Sequence, residues 1–199
     1  MSIILKNLCL GWRAFSSPRF TPLLNNQFDS LVLQVLNALL MSAKTIPDGY
    51  DSLIPSLCVR DANKAIEFYK DVFGATELMR MNYPDSPKIA HAEIKIRNNV
   101  LMLGDENPQM GALAPQPGSA TPPASVFIYV GDVDATFNKA VGKGAKPVMP
   151  PTDMFWGDRY GKFVDPFGHQ WGIATHTRDV SPEECNQAMA NWGKQKPAA

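Results

Sequence analysis

Hydrophobic and polar positions fall into two similar patterns, separated by a stretch rich in Pro, Gly and Ala at residues 106–124. In the first pattern, residues 52–59 (SLIPSLCV) read as a strand whose Pro lies near the start, where a missing N–H is tolerated. Asp61 is placed to cap a helix. In that helix Ala62, Ala65, Ile66, Tyr69 and Phe73 recur on one face, and Gly74 ends it. Strands are then predicted at 76–83, 88–96 and 99–105, the last two joined by a hairpin turn at 97–99.

After the Pro-rich stretch the order returns. Residues 125–130 read as a strand, Asp132 or Asp134 can cap a helix running through Val141, and Gly142 and Gly144 mark its end before an extended piece at 145–150. An offset of 71 lays Val59-Arg60-Asp61 on Val130-Gly131-Asp132 and Ile66 on Phe137. The pattern predicts an α+β domain over 49–180, made of two β-α-β-β-β modules at 52–105 and 125–176.

The ends read differently. Residues 1–48 open with Lys6, Arg13 and Arg19 and no acid before Asp29, and contain an apolar run at 31–41 (LVLQVLNALLM). Eleven residues fall far short of the roughly 20 needed to span a bilayer. This segment reads as an extension ahead of a natural start at Met41, as a targeting presequence, or as a short helix packed on the domain. At the other end, within 181–199, Ser181, Pro182 and Glu184 are spaced as a capping box with Pro at the first helical position. Ala188, Met189 and Trp192 would give that helix an apolar side.

Charge narrows the function classes. The 199 residues hold 19 basic and 19 acidic side chains, so the basic stripe of a general nucleic-acid binder is absent. Cys9, Cys58 and Cys185 form no CxxC pair, which argues against zinc clusters and redox dithiols and fits a reducing, cytoplasmic setting. Cys58 reads as a small buried hydrophobe.

The candidate chemistry is sparse. His91 and Glu93 lie two apart, hence on one face of a strand, either lining a cavity or facing solvent. Arg159 could meet an anionic ligand or pair with a nearby carboxylate. Phe127, Tyr129, Trp156 and Trp171 offer flat surfaces to an aromatic ligand, although Trp171 is also large enough to plug the core. His169, beside the DPFG turn at 165–168, reads as fixing that turn, and His176, past the last strand, as structural or exposed.

Two stretches carry a resemblance: VRDxxxAIxFYxxVFGA at 59–75 and FWGDRYGxFxDPFGHxWxIATH at 155–176. Together with the paired modules they resemble the vicinal oxygen chelate superfamily, which groups glyoxalases, bleomycin-resistance proteins and extradiol dioxygenases, and within it the PhnB-like, glyoxalase-like branch. The resemblance implies curved mixed sheets around a cavity, a homodimer and a small-molecule ligand. Laying the metal-dependent pattern on this chain puts its first-strand ligands near Ile54 and Ser125 and its closing-strand Glu at Gly172. Only Glu93, or His91, remains as a donor. The expectation is therefore a small-organic-molecule binder with no metal or other cofactor and no assigned catalytic residue. Its ligand-binding residues would be His91, Glu93, Phe127, Tyr129, Trp156, Arg159 and Trp171. The alternative is a lyase, isomerase or dioxygenase that uses one divalent ion. No nucleic-acid partner and no membrane span are expected.

Overall fold

A computed structural model describes residues 45–50, 53–116 and 124–192. The leader at 1–40, Cys9 and the end of the C-terminal tail lie outside the described residues. From Asp48 onward the chain forms one compact unit.

The first module runs β1 (Ser56–Val59), α1 (Ala62–Phe73), β2 (Thr76–Asn82), β3 (Ile89–Ile96) and β4 (Asn99–Asp105). The second repeats it as β5 (Ser125–Tyr129), α2 (Val133–Gly142), β6 (Lys146–Asp153), β7 (Asp158–Val164) and β8 (Gln170–His176). Each makes a four-stranded sheet, in the orders β1-β4-β3-β2 and β5-β8-β7-β6. In each, the first strand runs parallel to the last and the other pairings are antiparallel. The strands β1 and β5 are therefore edge strands in both sheets.

Repetition extends to the caps. Asp61 accepts the Lys64 N–H at 3.1 Å and Asp132 accepts the Ala135 N–H at 2.9 Å, so both equivalent aspartates hold a helix N-terminus. Asp134 is not the cap. Gly74 (φ 66°) closes α1 in the left-handed region, and after α2 it is Gly144 (φ 96°), not Gly142, that takes this conformation.

Of the predicted face of α1, Ala62, Ala65, Ile66 and Tyr69 are buried and Phe73 is half-buried, and Phe68 and Val72 join them. That face reaches the second sheet. Tyr69 and Phe73 meet Trp171 at ring-centroid distances of 5.4 and 4.6 Å, and Phe73 stacks on Phe163 at 6.4 Å. Each such aromatic pair contributes about 0.5–1.5 kcal/mol beyond its area burial. Beside them Asp165, 3% exposed, accepts four hydrogen bonds: from the Phe167 and His169 N–H groups and from Tyr69 Oη and Trp171 Nε1. A fully satisfied carboxylate thus ties the DPFG turn to α1 across the module boundary.

The tail helix α3 (Pro182–Trp192) starts with the expected capping box, Glu184 N–H to Ser181 Oγ at 3.2 Å and Ser181 N–H to Glu184 Oε2 at 2.9 Å. Ala188 is half-buried but Met189 is exposed. No helix among the described residues is long and apolar enough to cross a membrane.

Candidate ligand site

Strand alternation gives each sheet a face covered by helices and an open face. In the first sheet Leu57, Val59, Ala92, Ile94, Leu101 and Leu103 pack inward. The cross-strand partners on the other side are Ser56 with Met102, Glu93 with Met102 and Met79, and His91 with Met81. In the second sheet Trp171 and Ile173 point inward, while Phe127, Gly172 and Lys162 pair across β5, β8 and β7 on the open face, followed by Tyr129, Ala174 and Tyr160.

The two open faces meet along β1 and β5 in a groove of about 800 Å³. Its apolar walls include Leu53, Leu113, Pro115 and Phe127, and its polar atoms come from Cys58, His169, Gln170 and two serines. Cys58 is thus half-buried in the groove wall and not a core residue, because its strand alternation turns it away from α1. Burial, then Glu106 and Asp105, push its thiol pKa up and keep it protonated. His169 does help fix the DPFG turn through its N–H, and its Nε2 also lies 2.9 Å from the Cys58 carbonyl oxygen, joining the modules beneath the groove.

The open faces of the two sheets each carry a polar cluster, apart from the groove lining. On the first sheet Glu93, 6% exposed, accepts a hydrogen bond from Tyr50 Oη and lies 3.2 Å from His91 Nε2. The Tyr50 bond, with His91 helping against the effect of burial, lowers the Glu93 pKa, so this carboxylate stays ionised. On the second sheet Asp158, 4% exposed, accepts from Tyr129 Oη at 3.0 Å and Trp156 Nε1 at 3.1 Å, with His176 Nδ1 at 2.8 Å. His176 also reaches Asp179, and the hydrogen bonds to Asp158 and Asp179 raise its pKa.

The expected site residues are dispersed. Phe127 lines the groove, and Trp171 is a core residue, 1% exposed, that lines a smaller cavity of about 220 Å³ and not the groove. Tyr129 and Trp156 belong to the Asp158 cluster, and His91 and Glu93 to the opposite sheet. Arg159 turns away: its Nη2 and Nε donate to Asp134 on α2 at 2.7 and 2.5 Å, and its Nη1 to Asp153 at 3.1 Å. It pins helix to sheet. Cys58 belongs to no motif and His169 to the 155–176 stretch; the two stand 111 residues apart in sequence, so their shared wall exists only once the modules pack together.

A divalent ion of the usual kind does not fit these donors. Among the described residues no group of three His, Cys, Asp or Glu side chains converges. Neither Ile54 nor Ser56 on one first strand, nor Ser125 nor Phe127 on the other, offers an imidazole or carboxylate. At Gly172 a Cβ would lie 2.9 Å from Tyr160 Oη and 3.1 Å from Phe127 Cδ2. Aromatic side chains fill the place where a carboxylate would project.

Comparison with known proteins agrees with this fold. A family model for the glyoxalase/bleomycin resistance protein/dioxygenase superfamily matches residues 51–173. An uncharacterised protein of Mycobacterium bovis is 42% identical over 144 residues, covering 71% of this chain and 94% of the relative. An uncharacterised protein of Mycobacterium tuberculosis shows the same identity over 84% of its length. Among solved structures, a Pseudomonas aeruginosa protein shares the fold at a TM-score of 0.52 and 24% identity, covering 63% of this chain and 98% of that one. The PhnB protein from Bacillus cereus shares it at 0.50 and 16%, covering 63% and 99%. The chain belongs to the glyoxalase/bleomycin resistance protein/dioxygenase superfamily, the vicinal oxygen chelate fold group.

Proposed function

We propose that this protein binds a small organic molecule, without a metal ion, in the groove between β1 and β5, and that it works as a cytoplasmic homodimer. The observation that carries the reading is the Phe127–Tyr160 pair over Gly172, which makes the position of a lost carboxylate into an apolar, aromatic surface. Half-exposed Phe127 and Tyr129 and exposed Met81 support a ligand or a second copy on these faces. Cys58 and Cys185 are free thiols, in keeping with a reducing compartment.

The test is elemental analysis of protein purified without chelator, with a small-molecule library screened by NMR. Metal-free protein with ligands that shift Phe127 and Gly172 is the expected result. A stoichiometric divalent ion that is lost in Glu93→Gln would instead establish the second reading, a metal-dependent lyase, isomerase or dioxygenase. The ionised Glu93 beside His91 favours that reading, but two donors of one strand leave the ion's other positions unfilled.

A further inference from the structure

The open face of the second sheet has an unmatched charge. Asp158 already accepts from Tyr129 and Trp156 and is paired with His176, and Arg159 is paired with Asp134 and Asp153. Lys162 has no carboxylate partner among the described residues; its Nζ lies over the Tyr160 ring, 5.8 Å from the centroid. Lys162 is half-buried and directly opposite Gly172, whose other cross-strand partner is Phe127. Because position 172 has no side chain, Phe127 and Tyr160 stack over it at 5.8 Å with ring planes 19° apart. A flat apolar surface, half-exposed at Phe127, therefore lies beside a single ammonium group.

We propose that this face is a subsite for a flat ring carrying an anionic group such as a carboxylate, with the ring against Phe127 and the anion on Lys162. The proposal rests on the ligand-binding reading above and names its ligand class. Stacking on the aromatic face supplies sequence-independent affinity for any ring. The charge supplies discrimination: a carboxylate on Lys162 gains a charge-assisted hydrogen bond, an alcohol gains a weaker one, and a cation is repelled. The role expected for Arg159 thus falls to the lysine three residues on, which shares an open-face alternation with Tyr160.

Binding of benzoate, benzyl alcohol and cyclohexanecarboxylate to the full chain, followed by NMR titration, tests this. Benzoate is expected to bind about tenfold more tightly than either other probe, shifting Phe127 and Gly172. Lys162→Met is expected to abolish the advantage over benzyl alcohol, and Lys162→Arg to keep most of it. Lys162→Gln replaces Lys162→Met if the latter does not fold. Equal binding of benzoate and benzyl alcohol, or benzoate affinity unchanged in Lys162→Met, overturns the anionic class while leaving the small-molecule reading in place. Failure of all three probes also overturns the proposal, and the library screen then decides the wider reading separately.

Discussion

Phe127 and Gly172 are direct cross-strand partners on β5 and β8, and the Phe127 ring with the Tyr160 hydroxyl occupies the volume a Cβ at 172 would need. The nearest obstacle, Tyr160 Oη, is the far end of a movable side chain. Gly172→Ala is therefore expected to fold with a stability change within about 1 kcal/mol, while displacing the Phe127–Tyr160 stack. Thermal melting with near-ultraviolet circular dichroism separates the two effects. An unaltered aromatic spectrum would show that the stack does not depend on the missing side chain.

Arg159→Ala should lower the Tm slightly and leave benzoate affinity unchanged. Its guanidinium joins β7 to Asp134 of α2 and to Asp153, pairs that are partly open to water. Calorimetry and the same NMR titration read both quantities. A loss of affinity without loss of Tm would return Arg159 to the ligand site.

The largest single loss is expected at Asp165. Removing its carboxylate in Asp165→Ala leaves four donors without a partner, two of them the buried Tyr69 and Trp171 side chains. The expected cost is about 3–5 kcal/mol, measured by urea denaturation at constant m-value. A cost under about 1 kcal/mol would mean that water replaces the carboxylate easily.

The pH dependence at His176 has a definite sign. Hydrogen bonds to Asp158 and Asp179 raise its folded pKa above 6.5, so its contribution is fully present below the unfolded value. The contribution disappears as the pH rises through the folded pKa. Comparing Tm against pH for the native chain and His176→Gln should show a difference largest on the acid side and shrinking above neutrality. A difference independent of pH would assign His176 a neutral hydrogen-bonding role.

Much of the architecture was legible because local rules and tertiary packing agree here. The apolar face of α1, its Asp61 cap and Gly74 stop are all encoded within fourteen residues; the cap recurs at an offset of 71, at Asp132, and the glycine stop one residue short of it, at Gly144. Strand β4 begins at Asn99 and ends at Asp105 as read. Strand β1 starts later, at Ser56, since Pro55 has no N–H and lies just ahead of it.

The site was less legible. Arg159 has carboxylates near it in sequence on both sides, Asp153, Asp158 and Asp165; it takes Asp153 of these, and its bidentate partner is Asp134, 25 residues away, which depends on how α2 packs on β7. Cys58 looked like core because its neighbours are apolar, but alternation from Leu57 and Val59 turns it to the other face. Phe127 was visible as an aromatic on a strand. Its stacking on Tyr160 requires the smallness of Gly172, a relationship that spans three strands and leaves no motif.

The contact of α1 with Trp171 has a consequence for folding. Neither half can cover its own hydrophobic surface: Tyr69 and Phe73 would face water without β8, and Trp171 would lose its cover without α1. Two halves that look duplicated are thus obligate complements. Unfolding should proceed as one cooperative transition, and fragments separated within 117–123 should regain structure only when mixed.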